Sequence, residues 1–153
     1  MKVSEVMTTN VVTVRRDTPV NEIARLLVKN DITGAPVVDD AGTVIGLVTE
    51  TDLIVRDANL HFPTYITLLD SIVYLGSTRH FEEELQKFMA TTAAEIMNPQ
   101  PSIVAPDTEL NDVATYMVEN DANPVPVVQD QKLVGIVSRA DLVRLLARET
   151  EQG

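Results

Sequence analysis

The sequence predicts a mixed α/β fold made of two tandem units, each with the order strand, helix, strand, strand, helix. Two observations carry this prediction. The segment 46–52 (Gly-Leu-Val-Thr-Glu-Thr-Asp) recurs as 135–141 (Gly-Ile-Val-Ser-Arg-Ala-Asp). Strand-like and helix-like runs also precede both copies in the same order, which is typical of an internal repeat.

The two copies keep their register over most of their length. The offset is 90 residues between Met7 and Met97, and it is 89 residues between Gly46 and Gly135. The change of one residue falls in the turn between the last two strands of each unit. Because a turn tolerates such a deletion, the pattern indicates a structural duplication.

Each element of the first unit follows from a local pattern. The β-branched run 10–14 predicts a first strand, and Thr18 is predicted to cap a helix that starts at Pro19. Residues 39–42 have the composition of a hairpin turn between two further strands. Each helix should bury one face, namely Val20, Ile23, Ala24, Leu27 and Val28 in the first unit and Leu110, Val113, Ala114, Met117 and Val118 in the second.

The recurring segment places a hydroxyl and a carboxylate at a strand-to-helix corner. Thr49 and Ser138 are predicted N-caps, with Asp52 and Asp141 at the third helical position. One interpretation is a capping box, in which these groups satisfy the free N–H groups of the helix start. The other is a nucleotide site, in which N–H groups and the hydroxyl bind phosphate and the carboxylate binds ribose.

Composition restricts the partners. The net charge of −11 argues against a nucleic-acid partner. No apolar run is long enough to span a membrane, and the first residues lack the apolar core of a signal peptide. Because the chain has no cysteine, it has no disulfide framework and no thiolate metal site. We therefore expect a cytoplasmic protein without a membrane partner.

Residues 57–92 have no counterpart in the repeat and predict a helical hairpin. The helix 65–75 is apolar on nearly every side, whereas 79–89 has one apolar face. The apolar helix either packs across the two units or contacts a partner chain, and the pattern leaves both open. The predicted divisions are 1–56 for the first unit, 57–92 for the hairpin and 93–153 for the second unit.

The tandem resembles a pair of cystathionine β-synthase-type (CBS) domains, a Bateman module. The resemblance rests on 17–19, 34–38, Gly42 and 46–52 with their second copies. It departs from the pattern in two places, since Glu109 lies opposite Pro19 and either Lys132 or a gap lies opposite Gly42. It implies two sheets packed face to face about a pseudo-twofold axis, with a ligand cleft on each side. It also implies that two such modules pair into a homodimer.

The resemblance further implies a regulatory ligand. Members of the family bind AMP, ADP, ATP, S-adenosylmethionine and, less often, NAD. The corner aspartates would hold the ribose, and the hydroxyl residues would meet the phosphate. The segments 33–36 and 123–126, which we call the strand approaches, would line the base. The implied ligand-binding residues are Thr13, Thr33, Gly34, Ala35, Pro36, Thr49, Thr51, Asp52, Ile103, Asn123, Val125, Pro126, Ser138, Arg139 and Asp141.

The two implied sites differ in charge. Arg139 follows Ser138, and a guanidinium near a helix N-terminus favours phosphate, whereas its counterpart Glu50 would repel it. The second corner is therefore the expected nucleotide site. The first corner is expected to be empty or to prefer an uncharged or cationic tail. The alternative for Arg139 is an exposed residue paired with a nearby acid.

No catalytic motif accompanies these corners. His61 and His80 lack the spacing of metal ligands, and the chain has neither a phosphate-binding glycine loop nor a nucleophile elbow. The chain is therefore expected not to be an enzyme and to carry no catalytic cofactor. The principal hypothesis is a stand-alone adenosine-ligand sensor that transmits ligand state to an effector protein. The alternative is a ligand-free assembly module whose middle hairpin forms the interface.

Overall fold

The computed structural model describes residues 1–58 and 91–152, and the predicted helices 65–75 and 79–89 lie outside them. The element labels count described elements only. The helices are α1 (Val20–Asn30), α2 (Glu50–Ala58), α3 (Ala93–Ile96), α4 (Leu110–Glu119) and α5 (Arg139–Gln152). The strands are β1 (Gly34–Val38), β2 (Val44–Thr49), β3 (Val125–Gln129) and β4 (Lys132–Val137).

Two antiparallel hairpins, β1–β2 and β3–β4, confirm the predicted repeat of mixed α/β units. The first turn uses Gly42 at φ 83°. Asp39 Oδ1 braces this turn by accepting the N–H groups of Ala41 and Thr43 at 3.0 and 2.9 Å. The second turn places Asp130 and Gln131 at φ 51° and 69°. Two consecutive left-handed residues allow a shorter turn, which explains the one-residue change in offset.

The predicted first strands are reduced to one residue each. Val14 forms a parallel bridge to Val37, and Val104 forms the matching bridge to Val127. The prediction of a strand over 10–14 was wrong, since only Val14 of this run pairs with a neighbouring strand, and the chain turns away after it at Arg15. The Arg15 N–H bonds the Thr18 hydroxyl at 2.9 Å instead of continuing a ladder.

The start and the buried face of α1 also differ from prediction. The N-cap is Pro19 and not Thr18, whose hydroxyl serves the preceding turn. Val28 is 83 % exposed, and its counterpart Val118 is 79 % exposed. At 100° per residue, Val28 lies about 80° around the helix from Val20, on the side away from Ile23. The core-facing stripe is therefore narrower than predicted.

Each unit completes its core with a segment from the other half of the chain. We call these segments the 1–8 arm and the 91–98 arm. Val3 is fully buried among second-unit residues such as Val113, and its N–H bonds the Thr108 carbonyl at 2.9 Å. Ala93 is fully buried in the first-unit core, and its N–H bonds the Thr18 carbonyl at 2.9 Å.

The arms also pair with the last strand of each hairpin. Leu47 and Asn98 exchange backbone hydrogen bonds of 3.0 and 2.9 Å. Thr8 and Ile136 exchange bonds of 2.8 and 2.9 Å. These contacts come in matching pairs, as a pseudo-twofold arrangement of the units requires, and they interlace the two units. No helix in 1–58 or 91–152 is long and apolar enough to cross a membrane.

Candidate functional site

Both strand-to-helix corners form the carboxylate half of the predicted capping box, and the second also has the reciprocal bond from the Asp141 N–H to Ser138 Oγ at 3.3 Å. Asp52 Oδ2 accepts the N–H of Thr49 at 2.8 Å and its hydroxyl at 3.2 Å. Asp141 Oδ2 accepts the N–H of Ser138 at 2.8 Å and its hydroxyl at 3.1 Å. Each aspartate thus uses one oxygen, Oδ2, for the cap, and its second oxygen, Oδ1, takes no part in the cap.

Each corner opens onto a cavity. Cavity 1 has a volume of about 330 Å³ and contains Ser138 and Asp141 in its lining. Cavity 2 has a volume of about 310 Å³ and contains Thr49, Thr51 and Asp52. Both volumes fall at the lower end of the range typical of small-molecule sites, which is about 300–1,000 Å³.

Each cavity combines the corner of one unit with the strand approach of the other. Cavity 1 takes residues 30–34 from the first unit and its corner from the second. Cavity 2 takes residues 120–124 from the second unit and its corner from the first. Each arm and the residues just after it also line the cavity at the corner of the other unit. Residues 8 and 10–12 line cavity 1, and residues 98, 101 and 102 line cavity 2.

The two strand approaches meet between the cavities. A β-carbon on Gly34 would lie 2.8 Å from Pro124 Cδ, so only glycine allows this approach. Asn123 Nδ2 donates to the Thr33 hydroxyl at 3.4 Å, and Asn123 lines both cavities. This contact links the two sites directly.

The sequence-predicted residues separate into three groups. Those that line a cavity are Thr33, Gly34, Thr49, Thr51, Asp52, Asn123, Ser138 and Asp141. Those that lie buried within strands are Ala35, Pro36, Val125 and Pro126. The remaining three, Thr13, Ile103 and Arg139, are exposed and line neither cavity.

Arg139 bonds within its own unit. Its guanidinium pairs with the carboxylate of Asp121, and its N–H donates to Asn123 Oδ1 at 2.9 Å. This is the pairing with a nearby acid that the alternative interpretation of Arg139 predicts. The pair is solvent-exposed, with side chains 49 % and 91 % accessible.

Arg144 brings a positive charge to the lining of cavity 1, and it was not predicted from the sequence. Its Nη1 donates to Asp141 Oδ1 at 2.8 Å. The signal was available, because a residue three positions after Asp141 shares its helix face. In residues 1–58 and 91–152, no group of three His, Asp or Glu side chains is placed to hold a metal ion.

The walls of the cavities differ as well. Val11, Val12, Ile32 and Ile136 give cavity 1 an apolar wall. The equivalent positions in cavity 2 are Pro101, Ser102, Ala122 and Leu47, of which Ser102 is more polar and Ala122 is smaller than its counterpart. The strand-like run 10–14 contributes its half-buried residues Val11 and Val12 to this wall, whereas Thr13 is exposed and lines neither cavity.

Comparisons with known proteins place the whole chain in one family. The chain is 31 % identical to MJ1426 of Methanocaldococcus jannaschii, over 95 % of this chain and 91 % of that protein. It is 35 % identical to the chloroplastic CBS domain-containing protein CBSX2 of Arabidopsis thaliana, over 93 % of this chain but only 62 % of that protein. A crystal structure of CBSX2 in complex with AMP superposes with a TM-score of 0.73 at 29 % identity, covering 97 % and 98 % of the two chains.

The family model for the CBS domain matches the chain twice, over residues 3–59 and 93–148. These two matches coincide with the two halves of the observed repeat. They leave most of the unrepeated middle segment unmatched, in agreement with the resemblance drawn from the motifs. The chain belongs to the CBS domain family as a tandem pair.

Proposed function

We propose that this chain is a regulatory module that binds an adenosine-containing ligand in one or both cavities. The observation that carries the proposal is that the corner carboxylate of each unit, Asp52 or Asp141, lines a cavity. A carboxylate suits the hydroxyls of a ribose, and the N–H groups and hydroxyl of a helix start suit a phosphate. The complex of the related CBSX2 with AMP supports this class of ligand.

The lining residues fit such a ligand. In cavity 1, Val11 and Ile32 provide apolar surface for a base, and Asp141 would hold the ribose. In cavity 2, Asp52 would hold the ribose beside a more polar wall. Both carboxylates already serve helix caps, and the corners offer groups that bind and orient. We therefore propose a binding protein and not an enzyme.

Ligand binding would be transmitted through the relative position of the units. Each cavity has walls from both units, so a ligand that touches both walls favours the arrangement in which those contacts are best. A ligand shifts a conformational equilibrium only by its difference in affinity between the states. The altered surface would then be recognised by an effector protein.

Calorimetry and thermal shift with AMP, ADP, ATP and S-adenosylmethionine test the proposal. A ligand at 100 times its Kd stabilises the folded state by about 2.7 kcal/mol, so a clear rise in Tm is expected. Mass spectrometry of the denatured, freshly purified protein would identify a ligand that copurifies. Failure of all four compounds to bind a folded sample would contradict the proposal.

Assembly is a second candidate function, favoured by exposed apolar side chains on the last helix of each unit. Ile54, Val143 and Leu146 are 62 %, 63 % and 62 % exposed on α2 and α5. Exposed apolar patches often mark interfaces, and we propose a second copy of this chain as the occupant. Sedimentation should show a dimer that Leu146→Glu dissociates and Val118→Glu on α4 does not. Residues 59–90 of the predicted hairpin 57–92 lie outside the described residues.

A further inference from the structure

The carboxylate of Asp141 is held by two sets of partners. Oδ2 accepts both donors of Ser138, as in the capping box. Oδ1 accepts Nη1 of Arg144 at 2.8 Å. The Asp141 side chain is 9 % exposed, whereas that of Arg144 is 64 % exposed. The buried aspartate therefore orients an arginine whose remaining donors are open to solvent.

Among the described residues that line cavity 1, Arg144 is the one Lys or Arg. A guanidinium carries five N–H donors in a planar fork, so one held through a single nitrogen still has donors for a second anion. Its charge also offsets that of Asp141, which would otherwise repel a phosphate at short range. The pair thus prepares cavity 1 for an anionic group.

Cavity 2 has a different charge balance. Both linings contain two carboxylates, Asp31 and Asp141 in cavity 1 and Asp121 and Asp52 in cavity 2, so the difference lies in the cation. The described residues of this lining include no Lys or Arg, because Arg139 pairs with Asp121 from outside the cavity. In the sequence, the position equivalent to Arg144 is Val55. Among the described residues, a phosphate in cavity 2 would meet two carboxylates and no lining cation.

Building on the proposed function, we infer that Arg144 makes cavity 1 selective for adenosine ligands that carry a phosphate. Cavity 2 accepts ligands whose group beyond the ribose is neutral or cationic. Asp141 then has two roles, since it orients Arg144 and still offers lone pairs to a ribose hydroxyl. The number and placement of charges, and not the shape of the base, distinguish the two sites.

Titration calorimetry with AMP and with adenosine tests this selectivity. The wild-type chain should bind one AMP. Arg144→Gln should weaken AMP binding by about tenfold or more, because a charge-assisted hydrogen bond is lost, and change adenosine binding by less than about threefold. Arg148→Gln, exposed on the same helix and outside the lining, is the matched control and should change neither. Salt should weaken AMP binding in the wild type more than in Arg144→Gln.

The outcomes separate this inference from the proposed function. An equal loss for AMP and adenosine in Arg144→Gln, or no loss of AMP binding, overturns the role of Arg144. Loss of AMP binding in Asp52→Asn but not in Asp141→Asn places the phosphate in cavity 2 and overturns it as well. If neither compound binds the folded wild type, this inference fails, and the test with ADP, ATP and S-adenosylmethionine decides whether the proposed function fails with it. Thermal melting without ligand and the charge-conserving variant Arg144→Lys serve as controls for a folding defect in Arg144→Gln.

Discussion

The sulfur of Met7 occupies the space beside the α-carbon of Gly135. A β-carbon on Gly135 would lie 2.5 Å from Met7 Sδ and 2.9 Å from its Cγ, closer than van der Waals contact allows. Met97 stands in the same relation to Gly46. The glycine that opens each recurring segment is therefore required for the seating of an arm from the other half of the chain.

This contact predicts the effect of enlarging the glycine. Gly135→Ala should lower the free energy of unfolding by about 1–3 kcal/mol, the usual range for overpacking a core. Urea denaturation measures it. In the double variant Met7→Ala/Gly135→Ala the cost should be smaller than the sum of the single costs, since the shorter side chain makes room. Additive costs would show that the sulfur contact is not the cause.

The 1–8 arm should contribute to stability through Val3. The side chain is fully buried, so Val3→Ala should lower the free energy of unfolding by about 2 kcal/mol from lost burial and the cavity left behind. Val118→Ala removes the same atoms from a side chain that is 79 % exposed and should stay within about 0.5 kcal/mol of the wild type. Similar effects of the two substitutions would mean that the arm does not pack as described.

The capping role and the ligand role of Asp141 can be separated. Asp141→Ala and Asp52→Ala should each lower the free energy of unfolding by about 1–2 kcal/mol, because each loses a helix cap. Asp141→Ala should in addition weaken AMP binding, measured at a temperature where the variant is fully folded. A loss of stability with unchanged AMP affinity would leave Asp141 with the cap alone.

Arg139 should affect neither stability nor AMP binding strongly. Its pair with Asp121 is exposed, and exposed pairs contribute about 0–1 kcal/mol. Arg139 also lies outside the lining of cavity 1, so Arg139→Gln should leave AMP affinity close to that of the wild type. A drop comparable to that of Arg144→Gln would favour the assignment made from the sequence, in which Arg139 binds the phosphate.

One pH effect follows from the anchoring of the 1–8 arm. The Lys2 ammonium hydrogen-bonds Glu109 Oε1 at 2.6 Å and lowers the pKa of that carboxyl, and the carboxylate raises the pKa of Lys2. A lowered folded-state pKa stabilises the fold above the unfolded pKa of about 4.3, and this contribution is lost as pH falls through the folded value. The stability difference between wild type and Glu109→Gln, measured from pH 7 to pH 3, should therefore shrink in acid. A constant difference would argue against the ion pair.

Local patterns were sufficient to predict the repeat, the hairpins and the capping boxes. The glycine of the first turn, the aspartate three residues after each hydroxyl and the spacing of Val20, Ile23 and Leu27 all act over a few residues. Their physical effect depends on backbone geometry near them in the chain. For this reason the sequence alone was enough to predict these features. It was wrong about the helix start at Thr18 and about the buried face of α1, which does not include Val28.

The composition of the two cavities was beyond such reasoning. Cavity 1 joins residues about 100 positions apart, such as Thr33 and Ser138, and cavity 2 joins residues about 70 positions apart, such as Asp52 and Asp121. Their meeting depends on the exchange of arms. No periodicity within one unit reveals this exchange. Arg144 was missed for a related reason, because an arginine on a helix surface is ordinary until a cavity is seen beside it.

The exchange of arms sets an order of events during synthesis. Residues 1–8 leave the ribosome well before the strands and helix of the second unit that surround Val3. At about 5–20 residues per second, the arm waits on the order of ten seconds for its binding surface to exist. The first hairpin meanwhile lacks the 91–98 arm that completes its own core. Neither half can therefore complete its core from its own residues alone, since the first waits for the 91–98 arm and the second uses an arm that was made long before it.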